Sequence, residues 1–92
     1  NNRSLLNENL FLTIRTSKNS KLNLDKISNT LDLFCLKKIL KRYDITNTHK
    51  EGCFIIEFKD LDSLQKIEES LHREDDSVYL TFLDNKFGLL DQ

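Results

Sequence analysis

The chain has 92 residues, enough for one small domain with a single core and too few for two. Fourteen Lys and Arg against fifteen Asp and Glu leave a net charge of −1, which argues against a surface built to neutralise nucleic-acid phosphates. With 38% hydrophobic and 32% charged residues, the composition is that of a globule rather than a disordered tail. There is no apolar run of about eighteen residues, so direct membrane insertion is not expected. No charged n-region leads into a short apolar h-region, so no signal peptide is expected either, and the expected location is cytoplasmic. Methionine is absent even at position 1, and the chain is therefore expected to be a piece of a longer protein. Cys35 and Cys53 are the only cysteines. Small secreted scaffolds usually carry at least four, so both are expected as free thiols in a reducing compartment.

Residues 1–9 are polar apart from Leu5-Leu6 and lack any period, which reads as a linker ahead of a domain over 10–92. From Leu10 to Thr16 the chain alternates, with Leu10, Leu12 and Ile14 on one face and Phe11, Thr13 and Arg15 on the other. This is a strand. Ser17 to Lys21 is a polar loop, after which Asn23 or Asp25 can cap a helix carrying Leu24, Ile27, Leu31 and Phe34 at helical spacing. Residues 36–45 fit two patterns. Leu36, Ile39, Leu40 and Tyr43 could prolong the helix, whereas Ile39, Lys41, Tyr43 and Ile45 could line one face of a strand after a turn near Leu36 or Lys37. The strand is the expectation adopted.

Thr46 to Gly52 reads as a polar hairpin connection and Cys53 to Lys59 as a strand, with Phe54, Ile56 and Phe58 on one face. Asp60 or Asp62 then caps a second helix with a stripe of Leu61, Leu64, Ile67 and Leu71, ending in His72-Arg73. A turn over 74–77 leads to a last strand with Val78, Leu80 and Phe82 on one face. Tyr79, Thr81 and Leu83 lie on its back, and Phe87 to Leu90 could add a short edge extension.

The order β-α-β-β-α-β is that of an α+β, ferredoxin-like two-layer sandwich: a four-stranded antiparallel sheet with two helices on one face. Three strands agree on parity, since nine apolar residues (Leu10, Leu12, Ile14, Phe54, Ile56, Phe58, Val78, Leu80 and Phe82) all point toward the helices. The opposite face then holds Phe11, Thr13, Cys53, Ile55, Tyr79, Thr81 and Leu83, joined by Ile39, Lys41 and Tyr43 from the second strand. A solvated sheet face is normally mostly polar, so this one is read as a contact surface.

Catalytic and ligand-binding signatures are missing. Gly52 and Gly88 are the only glycines, too few for a phosphate-binding loop. His49 in a turn and His72 at a helix C-terminus have ordinary surface roles, and neither is spaced with a cysteine as metal ligands are. Cys53 lies mid-strand and Cys35 near a helix C-terminus, the wrong end to activate a thiol. No cofactor, no metal and no enzymatic activity are expected. Gly52 to Phe58 resembles the third-strand signature of the RNA-recognition motif, but the open-face positions hold Cys53 and Ile55 where stacking aromatics are needed. Nucleic acid is not the expected partner.

Taken whole, residues 10–90 resemble the cytoplasmic C-terminal domains of bacterial membrane proteins, including MgtC-like ones. There, a small ferredoxin-like or ACT-like tail follows a few transmembrane helices. The resemblance rests on Leu10-Phe11-Leu12-Thr13-Ile14, Leu40-Lys41-Arg42-Tyr43-Asp44, Lys59-Asp60-Leu61-Asp62-Ser63-Leu64 and the strand ending near Asp84-Asn85-Lys86. It implies a regulatory or oligomerising tail whose partner is a second copy or the rest of its parent protein. An ACT-like sensor of a small polar ligand, bound near the loop after the first strand, is the second expectation. Single-stranded RNA binding is the third.

Overall fold

The computed structural model describes residues 9–84. Strand β1 (Asn9–Ser17) leads to helix α1 (Leu24–Phe34), and strands β2 (Cys35–Ile45) and β3 (His49–Phe58) form a hairpin. Helix α2 (Leu61–Glu74) and strand β4 (Tyr79–Asp84) complete the order β-α-β-β-α-β. The four strands form one antiparallel sheet, ordered β2-β3-β1-β4. This is the α+β ferredoxin-like sandwich expected from the alternation. Of the expected linker, residues 1–8 lie outside the described residues and Asn9 opens β1; the extension over 87–90 lies outside them too.

The core is one layer between sheet and helices. Leu12 and Ile14 of β1 and Phe54 and Ile56 of β3 meet Ile27 and Leu31 of α1 and Ile67 and Leu71 of α2, all at most 5% exposed. At about 25 cal/mol per Å² of apolar surface removed from water, this layer dominates the stability. Both helices start at side-chain caps. Asn23 Oδ1 accepts from the Lys26 amide at 2.9 Å, and Asp60 Oδ1 accepts from the Ser63 amide at 2.9 Å.

Several sequence expectations move. Leu61 does not belong to the buried stripe; it is 75% exposed. It lies six residues before Ile67, about 600° around the helix and so about 120° off the stripe. Ser63, buried at 5%, lies on the stripe instead. The β2–β3 connection is shorter than Thr46 to Gly52, because His49 to Gly52 already pair with β1. Thr46 closes the turn. Its backbone amide donates to His49 O at 2.8 Å, and its hydroxyl oxygen accepts from the amides of Thr48 and His49.

No turn separates α1 from β2. Cys35 is at once the cap of α1, its amide donating to Leu31 O, and the first residue of β2, opposite Phe58. Two register shifts follow, between Cys35 and Lys37 and between Leu40 and Arg42. Each places one extra residue in β2, as a β-bulge does. The second shift reverses the parity expected for this strand. Tyr43 pairs with Gly52 and turns to the helix side, where a Cβ on Gly52 would lie 3.6 Å from the Tyr43 ring. Arg42 takes the open-face place opposite Cys53, and Lys41 is the extra residue. Bulges and the charges of Lys37, Lys38, Lys41 and Arg42 also blunt β2, an outer strand of the sheet, against pairing with another chain.

Candidate functional site: the open sheet face

The face away from the helices is built by the residues that alternate with the core set, and the strand register orders them into rows across the sheet. One row runs Ile39, Ile55, Phe11, Leu83, through all four strands in spatial order. Every member is apolar. Ile39 is 46% and Leu83 49% exposed, while Ile55 and Phe11, on the inner strands, are half-buried. The next row is Arg42, Cys53, Thr13, Thr81, and the one beyond it Asp44, Glu51, Arg15, Tyr79. On the other flank of the apolar row lie Lys37, Glu57 and Asn9.

All seven residues named from the sequence, Phe11, Thr13, Cys53, Ile55, Tyr79, Thr81 and Leu83, lie on this face, and Ile39 joins them. What the sequence does not announce is the charged end. Glu51 is held by two guanidinium groups, Arg15 Nε at 2.9 Å from Oε1 and Arg42 Nη2 at 3.2 Å from Oε2. Arg42 Nε also lies 3.2 Å from Asp44 Oδ2. The alternation of β1 put Arg15 on this face, but the second bulge alone brings Arg42 to it. These pairs are half-exposed, so their worth in the isolated chain is small. Arg15, Asp44 and Glu51, with Thr46 and His49, line a shallow recess of about 290 Å³.

A second recess, of about 600 Å³, lies at the end of the sandwich where the loop after β1 meets the loop before β4. Its rim is polar, with Asn19, Lys21, His72 and Arg73 around Asp75. Hydrogen bonds from the hydroxyl of Ser20, then from the hydroxyl and amide of Ser77, hold the Asp75 carboxyl below the usual carboxylate range. A depressed carboxyl stabilises the fold above its unfolded pKa and loses that contribution as pH falls through the folded value. Ser20→Ala is expected to move the Asp75 titration toward the usual carboxylate range, with only a slight change in stability because the group is partly open to solvent. An NMR pH titration of the carboxyl checks the shift.

The two thiols are separate. Cys35 is buried, and burial followed by the Asp32 charge pushes its pKa up to about 11. Cys53 is half-buried on the open face. In the folded chain Cys35 is expected to resist a thiol reagent at neutral pH while Cys53 reacts, and both react once the chain is unfolded. Equal rates for the two in the folded chain would contradict this burial. Among the described residues no group of three or more His, Cys, Asp or Glu could hold a metal ion. Among them, too, no helix is long and apolar enough to cross a membrane.

No family model matches the sequence, and no curated protein matches it. Among solved structures the chain is similar to a de novo designed protein, Foldit4. The identity is 12% and the TM-score 0.49, over 82% of this chain and 93% of the designed one.

Proposed function

We propose that this domain is a non-catalytic oligomerisation module that binds a second copy of itself through its open sheet face. The observation that carries the reading is the apolar row Ile39-Ile55-Phe11-Leu83, which continues across all four strands. Scattered exposed apolar residues are ordinary, whereas a contiguous row through the middle of a sheet face is the feature a partner would cover. A second copy fits because the charged row, the second one from the apolar row, carries both signs, Glu51 and Asp44 beside Arg15, and so is complementary to itself. The resemblance to tails of bacterial membrane proteins supports a finer reading, in which the module assembles or regulates a larger parent protein from the cytoplasmic side.

Four strands about 4.8 Å apart and rows over about 27 Å give a footprint of roughly 500 Å² per partner. That is below the approximately 800 Å² of a standard interface, so the association is expected to be micromolar rather than nanomolar. Light scattering at several hundred micromolar, on the order of ten times such a dissociation constant, should return a dimer mass. Ile55→Glu should return a monomer whose circular dichroism is that of the folded chain. A wild-type monomer at that concentration would sink the proposal.

The polar recess beside Asp75 supports an ACT-like ligand sensor as the second reading, since it lies by the loop after β1. A ligand present at 100 times its dissociation constant adds about 2.7 kcal/mol of stability. A thermal-shift panel of amino acids and nucleotides without any response would remove this reading.

A further inference from the structure

We infer that the dimer is built on a two-fold axis that runs parallel to the strands, between β1 and β3, in the plane separating the two sheets. This rests on the self-association proposed above and specifies its geometry. A face-to-face pair of identical sheets needs a two-fold axis lying between them, and aligned sheets pack with their strands within about 30° of each other. An axis along the strands lays each row on its own copy with the strand order reversed. Strand β2 then faces β4, and β3 faces β1.

Under that operation each row meets a compatible one. Ile39 opposes Leu83 of the partner subunit and Ile55 opposes Phe11 of the partner subunit, so the apolar row closes on itself. In the charged row Glu51 opposes Arg15 of the partner subunit, which joins two intrachain ion pairs into one four-charge cluster. Asp44 opposes Tyr79 of the partner subunit, whose phenol can donate to the carboxylate. In the remaining full row Cys53 opposes Thr13 of the partner subunit, two small side chains that let the sheets approach.

The other in-plane axis, perpendicular to the strands, fails on the same residues. It keeps each strand over its own copy and reverses the rows. Centred on the apolar row, it sets Lys37 against Arg42 of the partner subunit. Centred between the apolar row and the Cys53 row, it sets Glu57 against Glu51 of the partner subunit, offset only by Lys37 against Asp44 of the partner subunit, and leaves the apolar row on a polar one. Like charges brought together across a contact are costly, and burying the apolar row on polar residues gains nothing, so both placements are disfavoured against the axis along the strands.

Isotope-filtered NMR on a mixture of labelled and unlabelled wild-type chains tests the axis. Within one chain β2 and β4 are separated by two strands, so Ile39 and Leu83 are about 14 Å apart across the sheet. Intermolecular contacts between their methyl groups are expected. Contacts of Ile39 with its own copy, or with the Arg42 row, would overturn the axis and leave the dimer standing. A monomer mass with no intermolecular contacts would overturn the association itself. Charge exchange gives a second readout: Arg15→Glu and Glu51→Arg should each be monomeric, since each variant sets like charges against each other across the axis. Their equimolar mixture should form a one-to-one heterodimer, because positions 15 and 51 then bring an acid against a base in both symmetry-related contacts. A mixture that stays monomeric while wild type dimerises would overturn the axis.

Discussion

Replacing Phe54 by Ala is expected to cost about 3–5 kcal/mol in a denaturant titration, the range for deleting a buried aromatic side chain. Phe54 is 2% exposed at the middle of β3, a strand hydrogen-bonded on both sides, opposite Leu12 on one neighbour and Leu40 on the other. The sheet cannot close over the gap without shifting both neighbours. For a domain of this size, with a total stability of about 5–14 kcal/mol, such a loss takes a large share. The same truncation one residue later, Ile55→Ala, should cost much less, because Ile55 is only half-buried and leaves no enclosed cavity. The pair separates the two faces of one strand by their energetics. Equal losses at 54 and 55 would mean that the open face is packed as tightly as the core.

Leu22→Ala is expected to cost about 2–5 kcal/mol, although Leu22 lies in the loop before α1. It is 1% exposed and belongs to the same buried cluster as Ile14, Ile27 and Leu31. Its position explains why. Asn23 is the N-cap, so Leu22 immediately precedes the cap and Ile27 is the fourth helical residue. This is the pairing of a hydrophobic staple, in which the residue before the cap packs on the helix and fixes the angle at which the chain enters it. The Leu22 amide also donates to the Ser20 hydroxyl at 3.0 Å, which ties the loop to the same place. Lys21→Ala, its exposed neighbour, should leave stability within about 0.5 kcal/mol. A loss at position 22 no larger than that would show that the staple is not part of the core.

These two positions mark how far the sequence can be read. Alternation in β1 and β3 and the helical stripes through Ile27, Leu31, Ile67 and Leu71 give the order of elements and the helix-facing set, because the faces of those elements differ sharply in polarity. Leu22 has no period to announce it; only its place before the cap does. The change from α1 to β2 at Cys35 is equally silent, since helix and strand patterns both fit residues 36–45 and hydrogen bonding to β3 decides between them. The bulge at Lys41 is a tertiary fact as well. Sequence parity puts Tyr43 on the open face, and the inserted residue sends it to the helix side and brings Arg42 out beside Glu51. The apolar half of the candidate site is therefore visible in the chain, whereas of its charged end only Arg15 is; Arg42, Asp44 and Glu51 reach it through the bulge and the lengthened β3.

Strand β1 is made before the other three strands yet lies inside the sheet, with β3 on one side and β4 on the other. Its second neighbour ends at Asp84, 67 residues after β1 ends at Ser17. At a synthesis rate of about 5–20 residues per second, one edge of this strand therefore waits roughly 3–13 seconds for its partner to leave the ribosome. Closing that distant contact carries the loop entropy that slows folding of such sheets. During the wait the backbone groups of β1 that will face β4 are an open template for any other extended chain, and a message truncated before Tyr79 would leave them open for good. The last six-residue strand thus decides whether the first is sealed, and aggregation of this domain is expected to depend on nascent-chain length.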